Sequence, residues 1–265
     1  MRKITINLAA VAAFCIVVAS PALVSSSCAT PKTEQEDTTI IREDSGITAL
    51  KYSSPEVPAS IEFCGKTIDL SRFDRHERMD RELLAFTYMH STSLQMLKKA
   101  NRYFPIVEPI LKENGIPDDF KYLMVIESNM NPTARSSAGA AGLWQFMQGT
   151  GRDYGLEVNN NVDERYHIEK ATRAACRYLK DAYAKYKDWV AVAASYNAGQ
   201  ARIASQLAKQ DVDDSLDLQL VEETARYVYR ILAAKQLFNA PTTFGFRLRA
   251  SDLYPPIPYL SLIHI

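Results

Sequence analysis

The chain has 265 residues, of which 47% are hydrophobic and 23% are charged, a composition typical of a globular protein rather than a disordered one. Lys plus Arg and Asp plus Glu both number 31, so the formal net charge is zero. A neutral chain has no basic field to attract nucleic acid or an anionic membrane surface. We therefore expect no nucleic-acid partner, and any polymer that binds must be recognised by shape, stacking and hydrogen bonds.

The N-terminus has the pattern of a secretory signal. Arg2 and Lys3 precede an apolar run over residues 8–18, which is followed by small residues and Pro21. A membrane-spanning helix needs about 20 apolar residues, so this run is too short to be an anchor and cleavage is expected. We assign residues 1–27 to a signal peptide and expect the mature protein in the cell envelope, in the periplasm.

Cys28 is a candidate for lipid attachment, which would make the protein an outer-membrane lipoprotein. It follows two serines, but Ser25 stands where a lipidation signal usually has leucine, so ordinary cleavage is the alternative. Cys64 and Cys176 remain in the folded part. Two cysteines so far apart do not indicate a disulfide framework.

Residues 28–73 are interpreted as a flexible tether with a short N-terminal segment. From Thr30 to about Pro58 the chain is rich in polar residues and proline, so it cannot bury enough surface to offset its ordering entropy. The stretch IEFCGKTIDL, residues 61–70, has a Gly-Lys turn between two β-prone runs. It predicts a small hairpin leading into the domain.

From Asp74 onward the apolar residues recur at the helical period, which predicts an all-α domain over residues 74–240. Apolar positions at three- and four-residue steps over residues 83–97 indicate one long first helix. Pro105 suits the first turn of the next helix, and Gly115 suits its C-terminal exit.

The next helix should begin near Pro117 and end at Glu127 or Ser128, before Pro132 blocks continuation. Residues 241–265 are predicted to form a C-terminal extension. Its last residues are apolar, and we interpret this end as a point at which the chain is truncated. The later helices are predicted at Glu169–Tyr186, Trp189–Asn197, Arg202–Lys209 and Glu222–Phe238.

One carboxylate stands at the end of an apolar stripe. Phe120, Leu123, Met124 and Glu127 occur at i, i+3, i+4 and i+7, so Glu127 points to the core side of its helix. An apolar setting raises the pKa of a carboxyl group, which could then serve as a general acid near neutral pH. The alternative is a helix-end glutamate bonded to an arginine or a loop amide, and the spacing alone slightly favours that alternative.

The segment SSAGAAGLWQFM follows this helix and changes that balance. Gly139 and Gly142 let the backbone pass close to another group, and Trp144 and Gln145 place a stacking plane beside a neutral amide. Such a pair suits a sugar. The alternative is a short core helix over residues 143–147 in which Trp144 fills the core.

Two later stretches contain further polar side chains at helix positions. AVAASYNAGQARI places Tyr196 and Asn197 just before Gly199, at a helix end. Capping and a core hydroxyl bond are their structural alternatives. ETARYVYRI contains Tyr227 and Tyr229, of which one is expected to face inward and one partly outward.

Four stretches together resemble a known family: ESNMNPTARSSAGAAGLWQFM, TGRDYGL with NVDERYHIEKATRAACRYL, AASYNAG, and ETARYVYRI. The chain is similar to lytic transglycosylases with a goose-lysozyme-like (SLT) catalytic domain, and within them to the membrane-bound type D branch. The resemblance implies a lysozyme-like helical domain with Glu127 as catalytic acid/base. It also implies substrate-binding positions at Ser136, Gln145, Tyr196, Asn197 and Tyr227.

The same resemblance implies the reaction. Glu127 would protonate the oxygen between N-acetylmuramic acid and N-acetylglucosamine, and its ionised form would then take the proton of the muramyl C6 hydroxyl, closing a 1,6-anhydro ring without water. Most glycosidases use two carboxylates, but the quoted motifs contain one. Asp153, Asp163 and Glu164 are interpreted as caps and surface ion pairs.

Two alternatives stay open, namely lysozyme-type hydrolysis of the same bond and a non-catalytic peptidoglycan-binding protein. The expected partner is the peptidoglycan glycan strand, and the protein is expected to be a monomer. No metal or cofactor is expected, since the four histidines show no paired ligand spacing.

Overall fold

The computed structural model describes residues 54–257, and all structural statements below refer to that part of the chain. The predicted signal peptide, Cys28, most of the tether and residues 258–265 lie outside the described residues. A hairpin of β1 (Ser60–Phe63) and β2 (Lys66–Asp69) comes first. The elements after it are helical, which confirms the all-α prediction, and the α-helices have the following bounds. These are α1 (Phe73–Tyr88), α2 (His90–Glu113), α3 (Phe120–Ser128), α4 (Gln148–Asp153), α5 (Ile168–Tyr186), α6 (Trp189–Ala198), α7 (Gln200–Lys209) and α8 (Glu222–Asn239).

The predicted hairpin is present, with its turn one residue earlier than expected. Cys64 and Gly65 form the turn, and both have positive φ, 53° and 82°. Positive φ at both central residues is the two-residue turn whose twist matches that of antiparallel strands. Phe63 is fully buried and its ring centroid lies 5.9 Å from that of Phe120 on α3. The hairpin therefore packs into the helical core.

The prediction of a single long first helix is wrong, because the chain bends at Met89. Met89 has φ −81° and ψ 49°, outside the helical region, and it separates α1 from α2. Its N–H still donates to the carbonyl of Ala85 at 2.9 Å. The apolar period continues across the joint because Leu83 and Leu97, one on each helix, are buried in the same core. Periodicity alone therefore does not reveal the bend.

The prediction that Pro105 begins a helix is also wrong, since Pro105 and Pro109 lie inside α2. A proline removes the N–H that would bond the carbonyl four residues earlier. Asn101, Pro105 and Pro109 are all exposed, so water can satisfy the carbonyls of residues 101 and 105. Gly115 does follow the end of this helix, with φ 64°, as predicted.

Helix α8 is the element on which the candidate site is built. It packs against α1, α3 and α6, while α2 packs against α5. The expectation that Tyr229 or Tyr227 would face partly outward is wrong, because both are buried at 1% and 3% exposure. None of the helices within residues 54–257 combines the length and apolar character that crossing a bilayer requires.

Candidate active site

Glu127 lies in the last turn of α3, at the edge of the core. Phe120, Leu123 and Met124, which share its helix face, are completely buried, whereas Glu127 keeps partial exposure to solvent. Asn129 ends the helix in the left-handed conformation, with φ 49°. The carboxyl group therefore lies at the end of the apolar stripe of α3, partly exposed to solvent. The spacing of the apolar residues predicted this position.

Tyr227 of α8 donates a hydrogen bond from its hydroxyl to Oε1 of Glu127. The pKa of Glu127 is raised from 4.5 to about 7, mainly because burial disfavours the charged form. The hydrogen bond from Tyr227 and the positive charge of Arg230 oppose this rise, and the negative charge of Glu223 adds to it. A carboxyl group with this pKa is still partly protonated near neutral pH and can donate a proton.

Two phenols flank this carboxyl group. Burial, and then the nearby charge of Glu127, raise the pKa of both Tyr196 and Tyr227 well above 10. Both hydroxyls are therefore protonated donors at neutral pH. The hydroxyl of Tyr196 donates to the backbone carbonyl of Trp144 at 2.8 Å, which ties α6 to the loop after α3.

Asn197 lies beside Tyr196 near the end of α6. Its Oδ1 accepts a hydrogen bond from the hydroxyl of Thr224 on α8 at 2.8 Å. A cavity of about 310 Å³ opens at this helix end. Its walls include Gln145, Phe146, Met147, Tyr178, Tyr196 and Asn197.

The loop between α3 and α4 is held by its own backbone and by Gln145. Gln145 has φ 48°, and its Nε2 donates to the carbonyls of Gly142 at 2.8 Å and Ala134 at 3.2 Å. Gly142 has φ 80°, and a Cβ there would lie 1.9 Å from the carbonyl oxygen of Arg165. Only glycine permits this approach, so the predicted close passage occurs at residue 142.

Ser136 lies on the exposed side of the same loop. Its hydroxyl accepts a hydrogen bond from the N–H of Ala140 at 3.0 Å, and its own N–H donates to the Ala140 carbonyl at 2.9 Å. The contacts described above bring together Glu127, Tyr227 and Tyr196, with Gln145 and Asn197 in the neighbouring cavity. They do not include Ser136.

Trp144 does not offer a stacking plane to a sugar. Its side chain is completely buried and its Nε1 donates to the hydroxyl of Thr172 on α5 at 2.9 Å. Residues 143–145 form a turn rather than the short helix of the alternative interpretation. The alternative interpretation is therefore correct in that Trp144 fills the core. It is wrong in that these residues do not form a helix.

Arg165 supports the loop and was missed in the sequence. It is buried, and its Nη1 donates to the carbonyls of Gly139 at 2.8 Å and Phe146 at 3.0 Å. Asp163 holds the same guanidinium through contacts of 2.6 and 2.8 Å, so this acid has a structural partner. Glu164 accepts from the N–H of Glu157 at 2.8 Å. No local sequence pattern predicts these hydrogen bonds, because Arg165 lies about 20 residues or more from the carbonyls that it holds.

A buried carboxylate on α1 was missed as well. Glu82 is 1% exposed and accepts from Nε of Arg226 at 2.6 Å, with Nε of Arg230 at 3.5 Å. Met79, Glu82, Leu83 and Phe86 repeat the i, i+3, i+4, i+7 spacing that marked Glu127. The same signal could have found this position.

Within residues 54–257, no group of three or more His, Cys, Asp or Glu side chains is arranged to hold a metal ion. Glu127 interacts with the two phenols, the Glu223 carboxylate and the Arg230 guanidinium, and the Asn197 and Gln145 amides line the cavity beside Tyr196. This set can donate one proton and form neutral hydrogen bonds to a polar, uncharged ligand such as a saccharide.

Comparison with known proteins gives a consistent result. Residues 105–217 match the family described as Transglycosylase SLT domain. The chain is 30% identical over 181 residues to membrane-bound lytic murein transglycosylase D of Escherichia coli strain K12, covering 66% of this chain and 39% of that relative. It is also 30% identical over 138 residues to peptidoglycan transglycosylase gp16 of Escherichia phage T7, covering 50% of this chain and 10% of that protein.

Among solved structures, the chain is similar to an inactive mutant of lytic transglycosylase Slt from Pseudomonas aeruginosa. The identity is 22%, the TM-score is 0.44, and the match covers 58% of this chain and 26% of that one. The chain spans about two fifths of the length of the Escherichia coli relative.

Proposed function

We propose that this chain, whose residues 105–217 match the transglycosylase SLT domain and which is 30% identical to a membrane-bound lytic murein transglycosylase, is a peptidoglycan lytic transglycosylase. It cleaves the β-1,4 bond between N-acetylmuramic acid and N-acetylglucosamine and leaves 1,6-anhydromuramyl ends. The observation that carries the proposal is the carboxyl group of Glu127, which has a pKa of about 7 and is bonded to Tyr227.

The reaction needs one acid that later acts as a base. Glu127 in its protonated form donates its proton to the glycosidic oxygen, and the bond from that oxygen to the muramyl C1 breaks. The ionised Glu127 then accepts the proton of the C6 hydroxyl, whose oxygen bonds to C1. Water is not consumed. The C6 hydroxyl belongs to the substrate, so its attack is intramolecular and can gain about 7 to 11 kcal/mol from proximity.

The neighbouring side chains have positioning roles in this proposal. Tyr227 holds Oε1 of Glu127 and Tyr196 holds the loop backbone, so both act through geometry. Asn197 and Gln145, in the adjacent cavity, provide the substrate-binding amides. Ser136 binds substrate only if a glycan strand extends over the exposed side of the loop.

The test is the digestion of purified sacculi followed by mass spectrometry of the soluble fragments. The unchanged protein should release 1,6-anhydromuramyl fragments, each lighter by one water than the hydrolytic product. Glu127→Gln should fold but lose at least about a hundredfold in rate, because the proton donor is gone. Glu113→Gln, at an exposed position on α2, is the matched control. Normal digestion by a folded Glu127→Gln protein would rule out this site.

Hydrolysis of the same bond is a second candidate, and one observation favours it. Glu223, in the first turn of α8, is exposed and lies close enough for its charge to raise the pKa of Glu127. A second carboxylate could activate a water molecule. Predominantly reducing muramic acid ends, lost in Glu223→Gln, would establish hydrolysis. A folded protein that binds sacculi but releases no fragment would be a peptidoglycan-binding protein.

For location, we infer that the protein acts as a monomer on glycan strands in the periplasm, anchored by a lipid on Cys28. The signal-like N-terminus and the membrane-bound name of the Escherichia coli relative support this location. Full-length protein should then partition into membranes, and Cys28→Ser should be released in soluble form. Identical fractionation of the two would leave ordinary signal cleavage.

A further inference from the structure

A second cavity lies at the C-terminal end of α3. It has a volume of about 280 Å³ and lies between α1, the end of α3 and α8. Ile126 and Asn129, which bracket Glu127 in sequence, line it together with Phe86, Met89, Arg226 and Arg230. We call it the guanidinium cleft. Arg230, which lines the cleft, lies close enough to Glu127 for its charge to lower the pKa of that carboxyl group, so the cleft lies near the reacting group.

The charges in the guanidinium cleft do not cancel. Glu82 is buried and binds Arg226 closely, at 2.6 Å, but it lies 3.5 Å from Nε of Arg230. Among the residues that line the cleft, two guanidinium groups and one carboxylate leave one positive charge. The side chain of Arg230 is 35% exposed, so a ligand can reach its remaining donors. Arginine presents a planar set of donors that matches a carboxylate.

Apart from Asn129, the other residues that line the cleft are apolar. Phe86 and Ile126 line it, and so does Met89, which lies at the joint between α1 and α2 and is 46% exposed. A partly exposed methionine adapts to ligands of varied shape. The cleft thus offers one cationic position beside an apolar surface, which suits an acidic peptide better than an uncharged sugar.

Building on the function proposed above, we propose that the guanidinium cleft binds the acidic peptide carried by the muramyl residue, with Arg230 holding a peptide carboxylate. In intact peptidoglycan the saccharides themselves are uncharged, and the negative charges are the carboxylates of this peptide. The peptide leaves the muramyl ring through the lactyl ether, close to the carbon that reacts. A peptide site adjacent to Glu127 therefore has the position that the substrate requires.

The test uses two soluble muramyl tetrasaccharides that differ only in charge. Both carry the dipeptide L-Ala-D-Glu, one with free carboxyl groups and one with these groups amidated. Binding is measured by calorimetry in a Glu127→Gln background, which prevents turnover. We expect amidation to weaken binding about tenfold. Arg230→Gln should weaken binding of the acidic ligand by the same factor, and it should change the affinity for the amidated ligand by no more than about twofold.

Two further variants separate recognition from folding. Arg230→Lys keeps the charge and should recover part of the preference for the acidic ligand. Arg173→Gln removes an exposed arginine on α5 and should leave the preference intact. Equal binding of the two ligands, or equal weakening of both by Arg230→Gln, would overturn the peptide site. Failure of the unmodified protein to cleave sacculi would instead refute the function proposed above, so the two failures are distinguishable.

Discussion

Replacing Glu127 with glutamine should stabilise the folded protein above neutral pH while it removes the proposed acid. An unperturbed glutamate ionises near pH 4.5, whereas Glu127 in the folded protein ionises near pH 7. Between these values the folded state keeps a proton that the unfolded chain has lost. Stability therefore falls as pH rises through this window, and it stays lower above the pKa of the folded state.

The magnitude follows from the two pKa values. Each tenfold change in proton affinity corresponds to about 1.4 kcal/mol, so the rise from 4.5 to about 7 costs the folded protein about 3 kcal/mol once Glu127 is ionised. Glutamine has the same shape, stays neutral and can still accept the hydrogen bond from Tyr227. For a domain of this size, about 3 kcal/mol raises the melting temperature by roughly 6 to 12 °C.

The assay is thermal unfolding of both proteins at about pH 4.5 and about pH 8.5, at one ionic strength. The Glu127→Gln variant should melt much higher than the parent only at the alkaline pH. Asp74→Asn is the control, because a hydrogen bond from Arg72 holds the pKa of Asp74 at about 2. It should lower stability similarly at both pH values. A Glu127→Gln melting gap that does not change with pH would refute the buried-acid reasoning.

Three further substitutions test the geometry around the acid. Tyr227→Phe removes the hydrogen bond that lowers the pKa of Glu127, so the alkaline limb of the pH–rate profile on sacculi should move to higher pH. Tyr196→Phe should cost about 1 to 2 kcal/mol in chemical denaturation and slow cleavage, because it frees the loop backbone. Gly142→Ala should cost about 2 to 4 kcal/mol, since its Cβ would meet the Arg165 carbonyl.

For each of these substitutions, a different result would contradict the reasoning. A pH profile that is unchanged in Tyr227→Phe would show that this phenol does not tune Glu127. Full stability with a reduced rate in Tyr196→Phe would instead give its hydroxyl a direct role on the substrate. Gly139→Ala controls for Gly142→Ala, because Gly139 also has positive φ but a Cβ there meets no atom within 4 Å. Equal losses in the two alanine variants would mean that backbone strain alone matters.

The sequence by itself determined the helices from Glu169 onward and the position of the acid. The bounds predicted from Glu169 onward differ from the observed ones by at most two residues, and the helix before Pro132 ends at Ser128 as predicted. Helical periodicity reports which face of a helix is buried, so it also placed Glu127 at the end of an apolar stripe. The four motifs, which occur in order along the chain, indicated a resemblance to the lytic transglycosylases, and residues 105–217 match the transglycosylase SLT domain.

Only the tertiary structure decided what the polar side chains contact. Trp144 looked like a stacking plane for a sugar, yet it fills the core. Gln145 lines the cavity, and its Nε2 also holds the loop through the carbonyl of Gly142. The partners of Glu127 and Glu82 lie on α8, about a hundred residues or more away in sequence. Such contacts depend on how helices pack, and periodicity within one helix contains no information about the side chains that another helix presents to it.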